Sequence, residues 1–119
     1  MRNFRELKVW QEARTLVKDV YTLTQHLPES EKFGLTSQIQ RSVISIPANI
    51  AEGCGKHSNK EFIRFLQISL GSAYELESHI ILCRDLNFIA SDLSKPAIGN
   101  IQKLQKRIAS LINYNASNF

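Results

Sequence analysis

The stretch Gly34-Leu35-Thr36-Ser37-Gln38-Ile39-Gln40-Arg41-Ser42-Val43-Ile44-Ser45-Ile46-Pro47-Ala48-Asn49-Ile50-Ala51-Glu52-Gly53 decides the fold class. Leu35, Ile39, Val43, Ile46 and Ile50 recur at steps of three and four, the spacing of one helix face. Pro47 lies inside the segment and has no N–H to offer the Val43 carbonyl, so a kink is expected there. Two shorter helices are the alternative. The kink is preferred because the apolar spacing stays in phase across the proline. A second stripe, Gln38, Arg41, Ser45, Asn49 and Glu52, runs opposite the apolar one. Solvent exposure alone would explain it. Yet exposed faces usually carry more Lys and Glu, and this set of short and amide side chains suits a hydrogen-bonded contact with another helix or subunit.

The flanking segments read the same way. Before it, a helix over about residues 5–27 is marked by Trp10, Ala13, Val17, Val20, Thr24 and Leu27, widened by Val9, Leu16 and Leu23. Lys8, Glu12, Asp19 and Gln25 fall on its other side, and Pro28 ends it. After it, Gly53-Cys54-Gly55-Lys56-His57 is a loop. Ser58 with Glu61 three residues on is a capping-box signature, so a third helix is expected from Ser58 to about Leu86. Phe62, Leu66, Ser69, Ala73, Leu76, Ile80 and Cys83 mark its inner face, and Asn87 suits its C-terminal cap. Gly71-Ser72 interrupts it. Glycine costs about 1 kcal/mol against alanine there, which a close approach by another helix would explain.

A fourth helix starts between Ser91 and Pro96, with the proline suited to a first turn. Ile98, Ile101, Leu104, Ile108 and Leu111 face inward, and Lys103, Lys106 and Arg107 lie opposite. The polar tail, about residues 114–119, is expected to fray. No strand signal exceeds a few residues. Short connections between rods of roughly 30–40 Å force antiparallel neighbours. The expectation is a single all-α domain over residues 1–119, an up-down-up-down four-helix bundle.

Composition narrows the function. Of 119 residues, 43% are hydrophobic and 22% charged, which fits a globular chain and excludes disorder throughout. No apolar run reaches the roughly 20 residues of a membrane span, and the start carries no apolar signal core, so no membrane role and a cytoplasmic location are expected. Two cysteines make no disulfide framework. The net charge is +4. Residues 95–119 hold Lys95, Lys103, Lys106 and Arg107 and no acid, while the other eleven bases balance all eleven acids. Such asymmetry raises the prospect of a polyanionic partner.

Catalytic and metal chemistry find little support. No Glu-x-x-His pair exists for a di-iron bundle, and Glu75 with His79 reads as a surface hydrogen bond or ion pair. Cys54-x-x-His57 is half a zinc site, better read as a small residue in a tight loop. A P-loop would need glycine where Ile50 stands. Ser42, Ser45 and Cys54 have no His-plus-carboxylate partner by spacing. No cofactor and no metal are expected. Lys56, His57, Asn59 and Lys60 beside a helix start could hold a phosphate of a nucleic acid, although plain capping is the simpler reading.

Several motifs in order resemble a known family. Leu7-Lys8-Val9-Trp10-Gln11-Glu12-Ala13, Gly34 to Arg41, Ser45-Ile46-Pro47-Ala48-Asn49-Ile50-Ala51-Glu52-Gly53, Phe62-Ile63-Arg64-Phe65-Leu66, Gly71-Ser72 and Glu75-Leu76-Glu77 are similar to the bacterial four-helix-bundle proteins encoded in intervening sequences of 23S ribosomal RNA genes. The resemblance covers about residues 4–90. It implies an antiparallel bundle that forms ring-like homo-oligomers, pentamers among them. It also implies kinship with the accessory variability determinant of diversity-generating retroelements, a basic pentamer that binds nucleic acid and a reverse transcriptase. No catalytic residue carries over. Gln38, Arg41, Asn49, Glu52 and Glu75 transfer as structural or interface positions.

The expected function is therefore a non-enzymatic homo-oligomer that binds nucleic acid, RNA before DNA. Lys103, Lys106 and Arg107 would meet phosphates, with Lys56, Lys60 and Arg64 as a second patch. Gln38, Arg41, Ser45, Asn49, Glu52, Gly71, Ser72 and Glu75 would form a polar network or subunit contact. The alternative is a scaffold that binds a protein partner and no nucleic acid.

Overall fold

Apolar spacing places four helices in the computed structural model, which describes residues 2–117. They are α1 (Lys8–Thr24), α2 (Leu35–Cys54), α3 (Asn59–Asp85) and α4 (Ser91–Ser117). No strand occurs among the described residues, and none of their helices is long and apolar enough to cross a membrane.

The first helix is shorter than its periodicity suggests. A 3-10 turn at Phe4–Glu6 precedes it, and Leu7 is extended, so the helix starts at Lys8. It ends at Thr24, where tighter turns take over: Gln25 donates to Thr22 and Leu27 to Thr24. Its buried line is Val9, Ala13, Leu16, Val20 and Leu23, with Trp10 and Val17 on the flank. Of the face expected from the sequence, Ala13, Val20, Thr24 and Leu27 are buried along with the widening positions Val9, Leu16 and Leu23, and only Trp10 and Val17 sit at the edge.

In α2 the helix runs unbroken through Pro47, so the segment is one element and not two. Ile39, Val43, Ile46 and Ile50 are fully enclosed, each worth about 1.5–3 kcal/mol of apolar burial. Gly53 and Cys54 belong to the helix rather than to the loop, because both face the core. A methyl at Gly53 would lie 2.8 Å from Cβ of Phe65, so glycine is what lets α2 and α3 touch there.

Ser58 caps α3 by accepting the Glu61 N–H at 3.1 Å, while the Glu61 carboxylate binds Arg64 instead of reaching back. Every residue expected on the inner face of α3 is buried. Asn87 adopts φ 62°. It donates to Arg84 and Phe88 donates to Cys83, the paired bonds of a left-handed helix cap. Helix α4 begins at Ser91, which puts Pro96 beyond the first turn. It continues to Ser117, past the point where fraying was expected. Asn115 is buried and its carbonyl accepts from Asn59 Nδ2 at 2.7 Å, which holds the last turns. Residues 118–119 of the expected tail lie outside the described residues.

Contacts between α2 and α3, and between α3 and α4, run in opposite order along the two helices. On α2 and α3, Ser42 meets Glu75, Ser45 meets Ser72, and Ser69 meets the Ile46 carbonyl. On α3 and α4, Glu77 meets Gln102 and Gln105, while Asn59 meets Asn115. On α1 and α4, Glu12 meets Arg107. Gln40 reaches Thr24, and the Arg2 N–H reaches the Cys54 carbonyl. The resulting rod measures 46 × 23 × 19 Å. One end gathers the chain start, the α2–α3 loop and the end of α4.

Candidate nucleic-acid interface

That arrangement sorts charge. With each helix divided at its midpoint, the end holding the chain start has nine bases: Arg2, Arg5, Lys8, Arg14, Lys56, Lys60, Arg64, Lys106 and Arg107. Against them stand four acids, Glu6, Glu12, Glu52 and Glu61. The other end has six bases and seven acids. The surplus is thus a property of one end of the rod and not of α4 alone. Arg2, Arg5 and Lys8 were missed because residues 1–94 are neutral as a string. Antiparallel packing separates charges that cancel along the chain.

On α4, Lys103, Lys106 and Arg107 are exposed. They differ in availability. Arg107 Nε lies 3.0 Å from Glu12 Oε2 on α1. Glu12 therefore leans on α4, only partly exposed, and offsets one of the three charges. Its second oxygen, Oε1, is enclosed and has no hydrogen-bond partner. An enclosed orphan acceptor costs about 1–3 kcal/mol. Glu12 also lines a groove of about 570 Å³ between the start of α1 and the second half of α4. Leu7, Val9 and Leu111 supply its apolar lining, and Lys8, Glu12, Lys106, Arg107 and Ser110 its polar one.

The second patch surrounds the start of α3. Arg64 Nε binds Glu61 Oε2 at 2.9 Å on the surface, and the guanidinium holds the Glu61 carboxyl below its ordinary range. Arg64 and Lys56 both lie over the Phe65 ring, at 4.6 and 5.2 Å from its centre. Arg2 sits 3.9 Å over Phe62 and donates to Asn59 Oδ1 at 2.8 Å. These ring contacts hold the cations in place while leaving them charged. Lys60 is exposed. Both patches lie at the same end of the rod, with Lys103 at its middle.

The polar stripe of α2 divides. Ser45 and Asn49 form a network: Ser45 Oγ lies 2.8 Å from Ser72 Oγ, and Asn49 Nδ2 donates to Ser45 O at 2.8 Å and Oγ at 2.9 Å. Ser42, outside the expected stripe, donates to Glu75 Oε1 at 2.7 Å. Gln38, Arg41 and Glu52 are exposed and make no side-chain hydrogen bond among the described residues. Around Gly71 there is open space, so no helix of the same chain explains that glycine. Exposed Ile44 and Ile68 lie on the same two helices. A further network, Gln102 and Gln105 on Glu77, gave no signal in the sequence beyond ordinary polar positions.

Reactive groups are scattered. Among the described residues no three His, Cys, Asp or Glu converge to hold a metal. Glu75 bonds Ser42 rather than His79, whose ring nitrogens are enclosed without partners. Burial pushes the Cys54 thiol up, and that of Cys83 up to about 11.

The family model for 23S rRNA-intervening sequence proteins matches residues 5–110, which takes in the basic end and most of α4. Among solved structures, the chain is similar to a protein of unknown function from the S23 ribosomal protein family of Bacteroides thetaiotaomicron VPI-5482. The two are 28% identical with a TM-score of 0.81, over 87% of this chain and 97% of that one. No curated protein matches the chain. With four helices in place and the match running through all of them, the chain belongs to the family of 23S rRNA-intervening sequence proteins.

Proposed function

We propose that the protein is a non-enzymatic, cytoplasmic homo-oligomer, a ring of five chains, that binds RNA through its basic end. The observation that carries this reading is the segregation of nine bases against four acids at one end of the rod. Repeating that end around a ring multiplies the field that attracts a polyanion. Lys103, Lys106 and Lys60 supply uncommitted charge, and Arg64, Lys56 and Arg2 supply cations steadied on rings. Binding is led by charge and shape. Kinship with the accessory variability determinant is part of the same reading. The open space at Gly71, with Ile44 and Ile68, suits the subunit contact.

Charge reversal at Lys103, Lys106 and Arg107 tests the assignment. Affinity for a structured RNA falls while the helical signal is kept. Unchanged affinity at matched salt contradicts it. Sedimentation of the wild type as a monomer contradicts the assembly. The exposed apolar side chains of α2 and α3 favour one rival, a scaffold for another protein with no RNA. Capture of a protein partner that survives nuclease, by a chain that binds no RNA, would establish that rival.

A further inference from the structure

We infer that the outer α2–α3 face packs on the same face of a second copy of this chain, antiparallel and about a two-fold axis. This rests on the reading that the face around Gly71 meets another chain, and it adds that chain's orientation. Arg41, Ser45, Ala48 and Glu52 follow one another on α2 at steps of four, three and four. Arg64, Ile68, Gly71 and Glu75 do the same on α3. Each set therefore lies along one side of its helix, with opposite charges at its two ends. The Ser45–Ser72 bond and the Ser69 bond to the Ile46 carbonyl hold the middles of the two sets level. Four charges thus mark the corners of a patch about 16 Å long, Arg41 and Glu75 at one end, Glu52 and Arg64 at the other. Its middle is unfilled: a methyl at Gly71 meets nothing within 4 Å, and Ile44 and Ile68 are exposed.

A second copy turned end over end about that middle sets Arg41 opposite its Glu52, and Glu75 opposite its Arg64. Each pair then occurs twice, as an isologous contact requires. Arg41 and Glu52 are exposed and make no side-chain hydrogen bond among the described residues, so their charge is uncommitted. Arg64 is held by Glu61 and Glu75 by Ser42, so their pairs contribute less. A parallel copy, with α2 over α3, also matches the four charges, but it sets two basic ends side by side. The antiparallel copy sets each end of nine bases and four acids beside one of six bases and seven acids. With α2 of 20 residues about 30 Å long and two helices about 20 Å wide, each copy covers roughly 600 Å². The total, roughly 1,200 Å², is the lower end of specific interfaces. A ring closes through unlike faces, so a ring of five would close elsewhere and meet a second ring here.

The test is sedimentation velocity over a concentration series at low salt, on the wild type, Arg41→Glu, Glu52→Arg and an equal mixture of the two variants. The wild type should hold an even number of chains, two or ten. Each variant alone turns two attractive pairs repulsive and should weaken pairing about tenfold, whereas the mixture restores both pairs and should recover it. Glu52→Lys repeats the arm should the arginine variant unfold. Pairing unchanged in both folded variants overturns the inference. So does recovery when Arg41→Glu is mixed with Glu75→Arg but not with Glu52→Arg, the pattern of a parallel copy. A wild type of five chains overturns it and leaves the ring, and a monomer at every concentration removes the assembly reading itself.

Discussion

Alanine at Gly53 and alanine at Gly99 are the same chemical change on a helix, and the structure separates their outcomes. At Gly99 an added methyl meets nothing within 4 Å. Only the backbone preference changes, which favours alanine by about 1 kcal/mol in a helix interior. At Gly53 the methyl lies 2.8 Å from Cβ of Phe65, 3.3 Å from a ring carbon of Phe62 and 3.4 Å from the Phe62 carbonyl. A Cβ and a carbonyl cannot rotate away, so α2 and α3 must separate. Overpacking of this kind costs about 1–3 kcal/mol, more than the propensity gain in a last helical turn. The two variants should differ by about 2–3 kcal/mol. With a urea slope of about 1–3 kcal/mol/M, their midpoints should part by roughly 1–2 M at one protein concentration. Gly99→Ala should lie above the wild type and Gly53→Ala below it. A Gly53→Ala midpoint at or above that of Gly99→Ala would refute the close approach of α2 and α3.

Further outcomes follow from single contacts. Glu12→Gln removes the acid that holds Arg107 and should raise RNA affinity about two- to fivefold, the scale of a surface ion pair; lower affinity at matched salt would contradict the placement of Glu12 in the basic face. The Glu61 carboxyl titrates below its ordinary range because Arg64 binds it, so its contribution to stability is present above that range and lost as pH falls through the lowered value. The midpoint difference between wild type and Glu61→Gln should therefore shrink from about pH 7 to about pH 3, and a constant difference would count against the pair. Cys83 is buried with its thiol pushed up to about 11, so iodoacetamide should modify it far more slowly in the native protein than in urea. Equal rates would contradict its burial.

Much of the bundle was readable in the sequence because α3 and α2 have one dominant apolar stripe each. Ser58 and Asn87 also declared their helix ends through local chemistry. What escaped reading depended on partners distant in the chain. Trp10 and Val17 were read within the α1 face but lie at its edge, because packing against α2 and α4 turns the helix toward Val9, Leu16 and Leu23. Gly53 looked like a loop residue, since nothing local announces that Phe65 will press against it. Asn115 looked like a frayed tail, since its hold on Asn59 spans 56 residues. The candidate interface was half legible for the same reason. The four bases of α4 stood out as an acid-free run, whereas Arg2, Arg5 and Lys8 were masked by acids that the fold carries to the opposite end. Glu12 read as a solvated residue, yet it faces Arg107 at 3.0 Å.

Fluorescence anisotropy of a structured RNA, titrated with protein across a salt series, tests the central claim most directly. Binding should weaken linearly on a log–log plot, with a slope that reports several released counterions, and the reversal of Lys103, Lys106 and Arg107 should reduce both affinity and slope. No binding at low salt by folded, assembled protein would contradict the account, and the basic end would then be a solvated surface.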